Sequence, residues 1–322
     1  MHQPTAAAKF AARAPATPPG SMPTVGRAGL SDETRGMLLG LVGVAIFSLT
    51  LPFTRMAVAG LDPLFVALGR ALVAAVLAAA WLAWRRAPLP PRDALAALAM
   101  VAGGCIIGFP WLTSIAMRTL PAAHGAVLVG VLPLATVVCA ALGGHERPSA
   151  GFWAMSLLGS ALVVGFALRQ SGGSLQAADL AMFAAVLLAA AGYAAGGRLA
   201  QRMGGQQVIC WALLLAAPLL LPLLLWHSWG QADAMLQAGA RAWTGFAYVS
   251  VFSMFIGFFF WYRGMALGGV ARVGQVQLVQ PFLSLLGASL VLGEALEWDN
   301  VIFALGVIIV VALGRKMQVK RP

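Results

Sequence analysis

Charge is what this sequence has least of. Only 10% of its 322 residues are Asp, Glu, Lys or Arg, and Asp and Glu together number 10. Soluble domains carry about 25%, so a water-facing surface cannot be built from this chain. The three cysteines, Cys105, Cys139 and Cys210, lie inside apolar runs without CxxC spacing. That excludes a disulfide framework and a thiolate metal site, and leaves them as small packing residues. The histidines are His2, His124, His145 and His227, in tails or near the ends of apolar runs, and no Asp or Glu occupies the middle third of a run. A metal cluster or a Ser/His/Asp set would need convergent residues that are missing. An embedded enzyme has no acid–base pair at depth, and no carboxylate offers itself as a proton carrier. The glycine-rich "GYAAGGRLAQRMGG" at 192–205 lacks the strand–loop–helix context and the Gly-Lys-Ser/Thr ending of a phosphate loop. No ATP-binding domain is attached, and no cofactor or metal is expected.

What is present is oil. Hydrophobic residues make up 61% of the chain, which makes lipid its solvent. The net charge of +11 does not indicate nucleic acid, because the basic residues sit in short connections and tails rather than on a stripe. Residues 1–35, including "AARAPATPPGSMPTVGR" at 11–27, are rich in Ala, Pro and Gly without helical periodicity and read as a disordered cytoplasmic tail. They lack the apolar core of a signal peptide. A translation start at Met22 or Met37 stays open. Residues 315–322 read as a basic cytoplasmic tail.

Apolar runs fall at 37–54, 62–84, 93–117, 121–143, 150–168, 178–197, 206–226, 242–262, 272–292 and 298–314. Most have the roughly twenty residues a bilayer core requires, and none alternates as a barrel wall would. With the N-terminus in the cytoplasm, 16 of the 21 Lys and Arg fall in cytoplasmic segments. Four fall outside, namely Arg55, Arg118, Arg169 and Arg241, and Arg70 alone lies inside a span. The positive-inside rule then puts both termini in the cytoplasm. Tryptophans cluster near the run ends, as interfacial indoles do. Trp81, Trp84, Trp153, Trp211 and Trp261 lie near inner ends, and Trp111, Trp226, Trp229, Trp243 and Trp298 near outer ones.

One pattern occurs twice. "GVLPLATVVCAALGGHERP" at 130–148 and "LVQPFLSLLGASLVLGEAL" at 278–296 each place a glutamate thirteen residues after a proline, Pro133 to Glu146 and Pro281 to Glu294. The offset between copies is 148 residues at both positions, nearly half the chain. The prolines fall in the fourth and ninth runs, so each unit holds five spans. An odd number inverts the second unit, as in alternating-access transporters with a midplane site between repeats.

These residues resemble the EamA-type members of the drug/metabolite transporter superfamily. The second half is similar through "FFFWYRGMALGGVARVGQVQLVQPFLSLLGASLVLGEAL" at 258–296. The first half is similar through "SLTLPFTRMAVAGLDPLFVALGRALVAA" at 48–75 and "AMRTLPAAHGAVLVGVLPLATVVCAALGGHERP" at 116–148. Likeness covers 37–314, and its specific marks are the proline-helix-Gly-Glu ending and an arginine in span two. One departure is Gly144-His145-Glu146, where the family reads Gly-Glu directly. The resemblance implies an all-α integral membrane protein of ten transmembrane helices in two inverted five-helix repeats, here 36–170 and 171–314. It also implies transport of small metabolites such as amino acids, and a bacterial inner membrane.

Arg70 has two readings. It lines a pathway, where its fork holds a carboxylate or phosphate, or it ties loop carbonyls and helix C-termini across a packed interface; the tie is preferred. Pro281 lacks an N–H, so the Gln277 carbonyl loses its helical partner. Gln277, Gln280 and Ser284 share one face at i, i+3, i+7, and line a cavity or act as hydrogen-bonding glue. In the fourth span the matching positions are Val129, Leu132 and Thr136, a drier face. Glu146, Gly293 and Glu294 read as helix ends, Gly293 in the left-handed C′ position, and each carboxylate as a latch held by an arginine or a backbone N–H. Tyr193 and Tyr262 are candidates for contact with substrate; Trp261 reads as an interface anchor.

The expected function is a secondary transporter, an exporter of a small organic metabolite, working by alternating access. Multidrug efflux is the alternative, and a passive pore would need polar rings on more than one helix. Expected partners are the bilayer and a small solute, with a homodimer left open.

Overall fold

The computed structural model describes residues 31–142, 147–170, 175–230, 232–268, 273–316 and 319–320. Helix α1, Asp32–Val58, starts five residues before the expected 37, because Ser31 caps it and accepts the Thr34 N–H at 3.2 Å. It breaks at Leu49 and resumes with Pro52 in its first turn, where a missing N–H costs nothing. Helix α2 is Pro63–Trp84, with Asp62 accepting the N–H groups of Leu64 and Phe65 at 2.8 and 3.1 Å. Helix α3, Arg92–Ala116, holds a π-helical segment, Ala102–Gly108. Helix α4 comprises Ala122–Val129 and Leu132–Leu142, and α5 is Ala150–Gln170.

Helix α6, Ala177–Met203, and α7, Gly205–Ser228, meet at Gly204, whose φ of +87° lets the chain reverse without a loop. A short helix, Ala232–Gln237, precedes α8, Ala240–Gly268, which holds the π-helical segment Tyr248–Ile256. Helix α9 starts as a 3-10 segment, Gly274–Val279, and continues as Gln280–Leu292; α10 is Trp298–Lys316. A two-residue ladder, β1 (Arg147–Pro148) on β2 (Val319–Lys320), is antiparallel.

The architecture is all-α. Six helices, α1, α2, α3, α6, α7 and α8, are long and apolar enough to cross a membrane, and α4, α5, α9 and α10 are shorter apolar helices. The arrangement on α2 and α7 suits lipid, with small residues facing partners and several large apolar ones facing outward. On α2 the alanines 71, 74, 75 and 78 are buried while Val76 is exposed, and on α7 Leu219, Leu221, Leu223 and Leu225 are all exposed.

The packing joins the first five helices to the last five. Helix α1 packs on α8, and α3 on α6; α2 pairs with α7 and α5 with α10, while α4 packs on both α6 and α9. Glycines permit the closest approaches. A Cβ on Gly264 would stand 2.8 Å from the Gly36 carbonyl oxygen, and one on Gly104 would collide with the Leu188 carbonyl. The two π-helical segments sit in α3 and α8 and end 148 residues apart, at Gly108 and Ile256, the spacing of the proline–glutamate pattern.

Candidate functional site

A buried arginine sets the centre of the molecule. The cap at Asp62 starts α2 two turns above Arg70, so the guanidinium enters about 12 Å along the helix. Its side chain is 2% exposed. Nη2 donates to Ser253 Oγ at 2.9 Å, and that hydroxyl lies 2.8 Å from Thr50 Oγ1. Nε and Nη1 have no partner. Such groups in an apolar interior cost free energy unless something accepts from them. The preferred tie to loop carbonyls and helix C-termini is therefore corrected: the partner is a hydroxyl on α8, and two nitrogens are left over.

Arg70 lines a set of narrow clefts with room for about 30 Å³, a water or two, rather than one open chamber. Seven helices line it, α1 to α4 and α6, α8 and α9. Arg70, Tyr193, Gln280 and Ser284 from the expected set all reach it, with Val129 and Leu132 of α4 opposite. Thr50 and Ser253 join them, and so do Phe47, Phe258 and Cys105. The π-helical segments supply Cys105 and Ser253. An extra backbone residue per turn rotates side chains out of α-helical register, and such bulges recur at functional sites.

Two expected residues lie elsewhere. Gln277 is buried but does not line the cavity, and its Nε2 has no partner. It belongs to the 3-10 turn before Pro281, where three residues per turn instead of 3.6 swing it off the Gln280–Ser284 face. Its carbonyl is not free either, since the Gln280 N–H bonds it. Tyr262 is fully buried away from the cavity, its ring over Gly196 so closely that a Cβ there would strike it. Trp261 is no interface anchor. It is 1% exposed and packs against Tyr193 and Phe47 with ring centroids 5.8 and 6.4 Å apart. Trp84, Trp226, Trp229 and Trp298, by contrast, are strongly exposed.

Pro133 and Pro281 are each the second residue of a resuming helix, after a turn at Gly130–Val131 and after the 3-10 segment. Gly293 ends α9 with φ +72° and ψ 19°, the left-handed conformation. Glu294 then reaches the start of α4, its two oxygens accepting the Ala122 and Ala123 N–H groups at 2.9 Å each. A carboxylate there satisfies orphan donors and the helix dipole together. Arg55 Nε lies 3.4 Å from the same carboxylate, and Arg55 also donates to the Leu120 carbonyl. A second cavity of about 420 Å³ opens beside this junction, lined by Arg55, Arg241 and Glu294 among others. Glu146 lies outside the described residues.

Sequence reasoning missed one buried pair. His124 Nε2 lies 2.8 Å from Asp179 Oδ1, both side chains buried, joining the first turns of α4 and α6. Asp179 also accepts the Gln176 N–H at 3.0 Å. The two residues stand 55 apart in sequence, at span ends, and only the fold brings them together. Among the described residues no cluster of three or more His, Cys, Asp or Glu gathers to hold a metal.

Apolar helices around an internal cavity are the build of a membrane protein, and comparison with known proteins gives its class, a membrane transporter, and its family. The EamA-like transporter family model matches residues 34–168 and again 176–314, so the chain belongs to that family, with one copy in each half. It is 47% identical over 287 residues to a Bacillus subtilis (strain 168) protein, "Uncharacterized transporter YdeK", spanning 89% of this chain and 99% of that protein. A solved crystal structure, 19% identical, shares the fold with a TM-score of 0.59, over 87% of this chain and 96% of the other.

Proposed function

We propose that this transporter is a secondary carrier that exports a small organic metabolite, such as an amino acid or related amphipathic solute. It works by alternating access between two inverted five-helix repeats, 36–170 and 171–314. The ten helices then all cross a bacterial inner membrane, with both termini cytoplasmic, as the 16-to-4 distribution of Lys and Arg favours. The cross-half pairing of helices, the family matches in each half and the 148-residue spacing all support the inverted reading.

One observation carries the carrier assignment. The Arg70 cavity draws its lining from both halves of the chain, and one of its lining side chains, Arg70, has two unpartnered nitrogens. A site shared between repeats is what a rocking carrier needs. A pore would require polar rings on more helices, and the α4 side of this cavity is apolar.

The test is untargeted mass spectrometry of medium and cytosol from cells expressing wild type, Arg70→Ala, or Gln280→Ala with Ser284→Ala, matched for membrane expression. The expected result is one metabolite class shifted from cytosol to medium by the wild type and by neither variant. No shift with the wild type would count against native solutes and favour drug efflux. A shift that survives both variants would remove this cavity from the pathway.

A further inference from the structure

The Arg70 cavity holds a charge with nothing to balance it. Among the described residues that line it, Arg70 is the only ionisable group besides Cys105 and Tyr193, and no carboxylate is present. Arginine does not give up its proton in proteins, so the cavity carries a fixed positive charge in a low-dielectric setting. One guanidinium nitrogen is engaged by Ser253, and Nε and Nη1 remain as donors. Around them stand aromatic rings of Phe47, Phe258 and Tyr193. The second cavity is lined by Arg55 and Glu294, which pair with each other, and by Arg241.

Resting on the carrier reading above and narrowing its solute class away from zwitterionic amino acids, we infer that the solute is a small organic monocarboxylate with an apolar body, bearing net negative charge rather than a zwitterionic or cationic form. Its carboxylate accepts from the free nitrogens of Arg70, a charge-assisted contact about twice as strong as a neutral hydrogen bond. Its body lies against the three rings. One arginine matches one negative charge. An added ammonium group would enter a cavity with no carboxylate to receive it, and a cationic drug would meet Arg70 directly.

Cys105 lines the same cavity and reports on its charge. The test uses purified full-length protein in detergent with Cys139→Ala and Cys210→Ala. It is exposed to anionic sulfonatoethyl methanethiosulfonate or cationic trimethylammonioethyl methanethiosulfonate, and labelling is followed by intact mass. Rates are normalised to those of each reagent with mercaptoethanol. A second form carries Ser284→Cys with Cys105→Ala added, so that the result does not hang on one thiol. The anionic reagent is expected to react faster, by about tenfold or more, given unit charges a few ångströms apart in a partly desolvated site. Arg70→Gln should remove that preference and Arg70→Lys should keep it. Equal normalised rates in the unaltered Arg70 protein, or a preference for the cationic reagent, would overturn the inference and leave the carrier reading intact. A preference unchanged in folded Arg70→Gln would also overturn it. If neither reagent reaches either thiol while the unfolded protein reacts, the cavity does not open to water, and the carrier reading fails with it.

Discussion

In α4 and α9 the chain turns out of α-helix and resumes with a proline in second place, Pro133 in one and Pro281 in the other. The backbone event is shared and the side chains are not. Helix α4 presents Val129 and Leu132 to the cavity, whereas α9 presents Gln280 and Ser284. Proline constrains both helices alike, because its lost N–H and fixed φ depend on the ring alone. What a solute touches depends on the residues around the break. Helix α4 therefore offers a dry wall and α9 a hydrogen-bonding one, with Arg70 and Thr50 lining the same cavity. Helix α4 begins on Glu294 and on His124–Asp179.

The hardest way to break the comparison is at the start of α4. His124→Ala removes one of the partners of the buried Asp179, which keeps the Gln176 N–H, and should lower stability by about 3 kcal/mol, read as thermal unfolding in detergent. Asp179→Asn added to it should recover a large part. Glu294→Ala removes the acceptor for two amides and the partner of Arg55, and should cost about 2–3 kcal/mol. Faster hydrogen exchange at Ala122 and Ala123, with the rest of α4 unchanged, would locate the loss. Leu132→Gln carries the α9 amide across to the dry wall, where α4 provides no partner; about 2 kcal/mol should be lost. Gln280→Leu, the reverse exchange, should leave the melting temperature nearly unchanged while reducing transport. Gly293→Ala forces a Cβ into the left-handed turn before the latch, for about 1 kcal/mol, and is the smallest effect expected.

Much of the site could be found from the sequence because polarity is rare in it. Arg70, Gln280, Ser284 and Tyr193 were conspicuous in apolar runs, and the fold puts them around one cavity. Thr50 and Ser253 were not conspicuous. Hydroxyls are ordinary in membrane helices, and their contact joins residues 203 apart. Gln277 was misplaced because a period of 3.6 was assumed across a 3-10 turn. Tyr262 and Trp261 were misplaced because periodicity tells which face a ring occupies but not whether lipid or protein covers it. The helix ends were read too early at α1, α6 and α8, where charged residues such as Arg55, Arg202 and Arg263 continue the helix instead of closing it.

The contact between Gly36 and Gly264 bears on how such a molecule can move. Backbone touching backbone leaves no side chain to re-pack, which ties α1 to α8, and Gly104 against the Leu188 carbonyl ties α3 to α6 in the same way. Each pair takes one helix from either half of the chain. In the alternating-access reading proposed above, moving bodies that keep these contacts would be drawn from both halves, and the seam between them would run across the repeats rather than along their boundary.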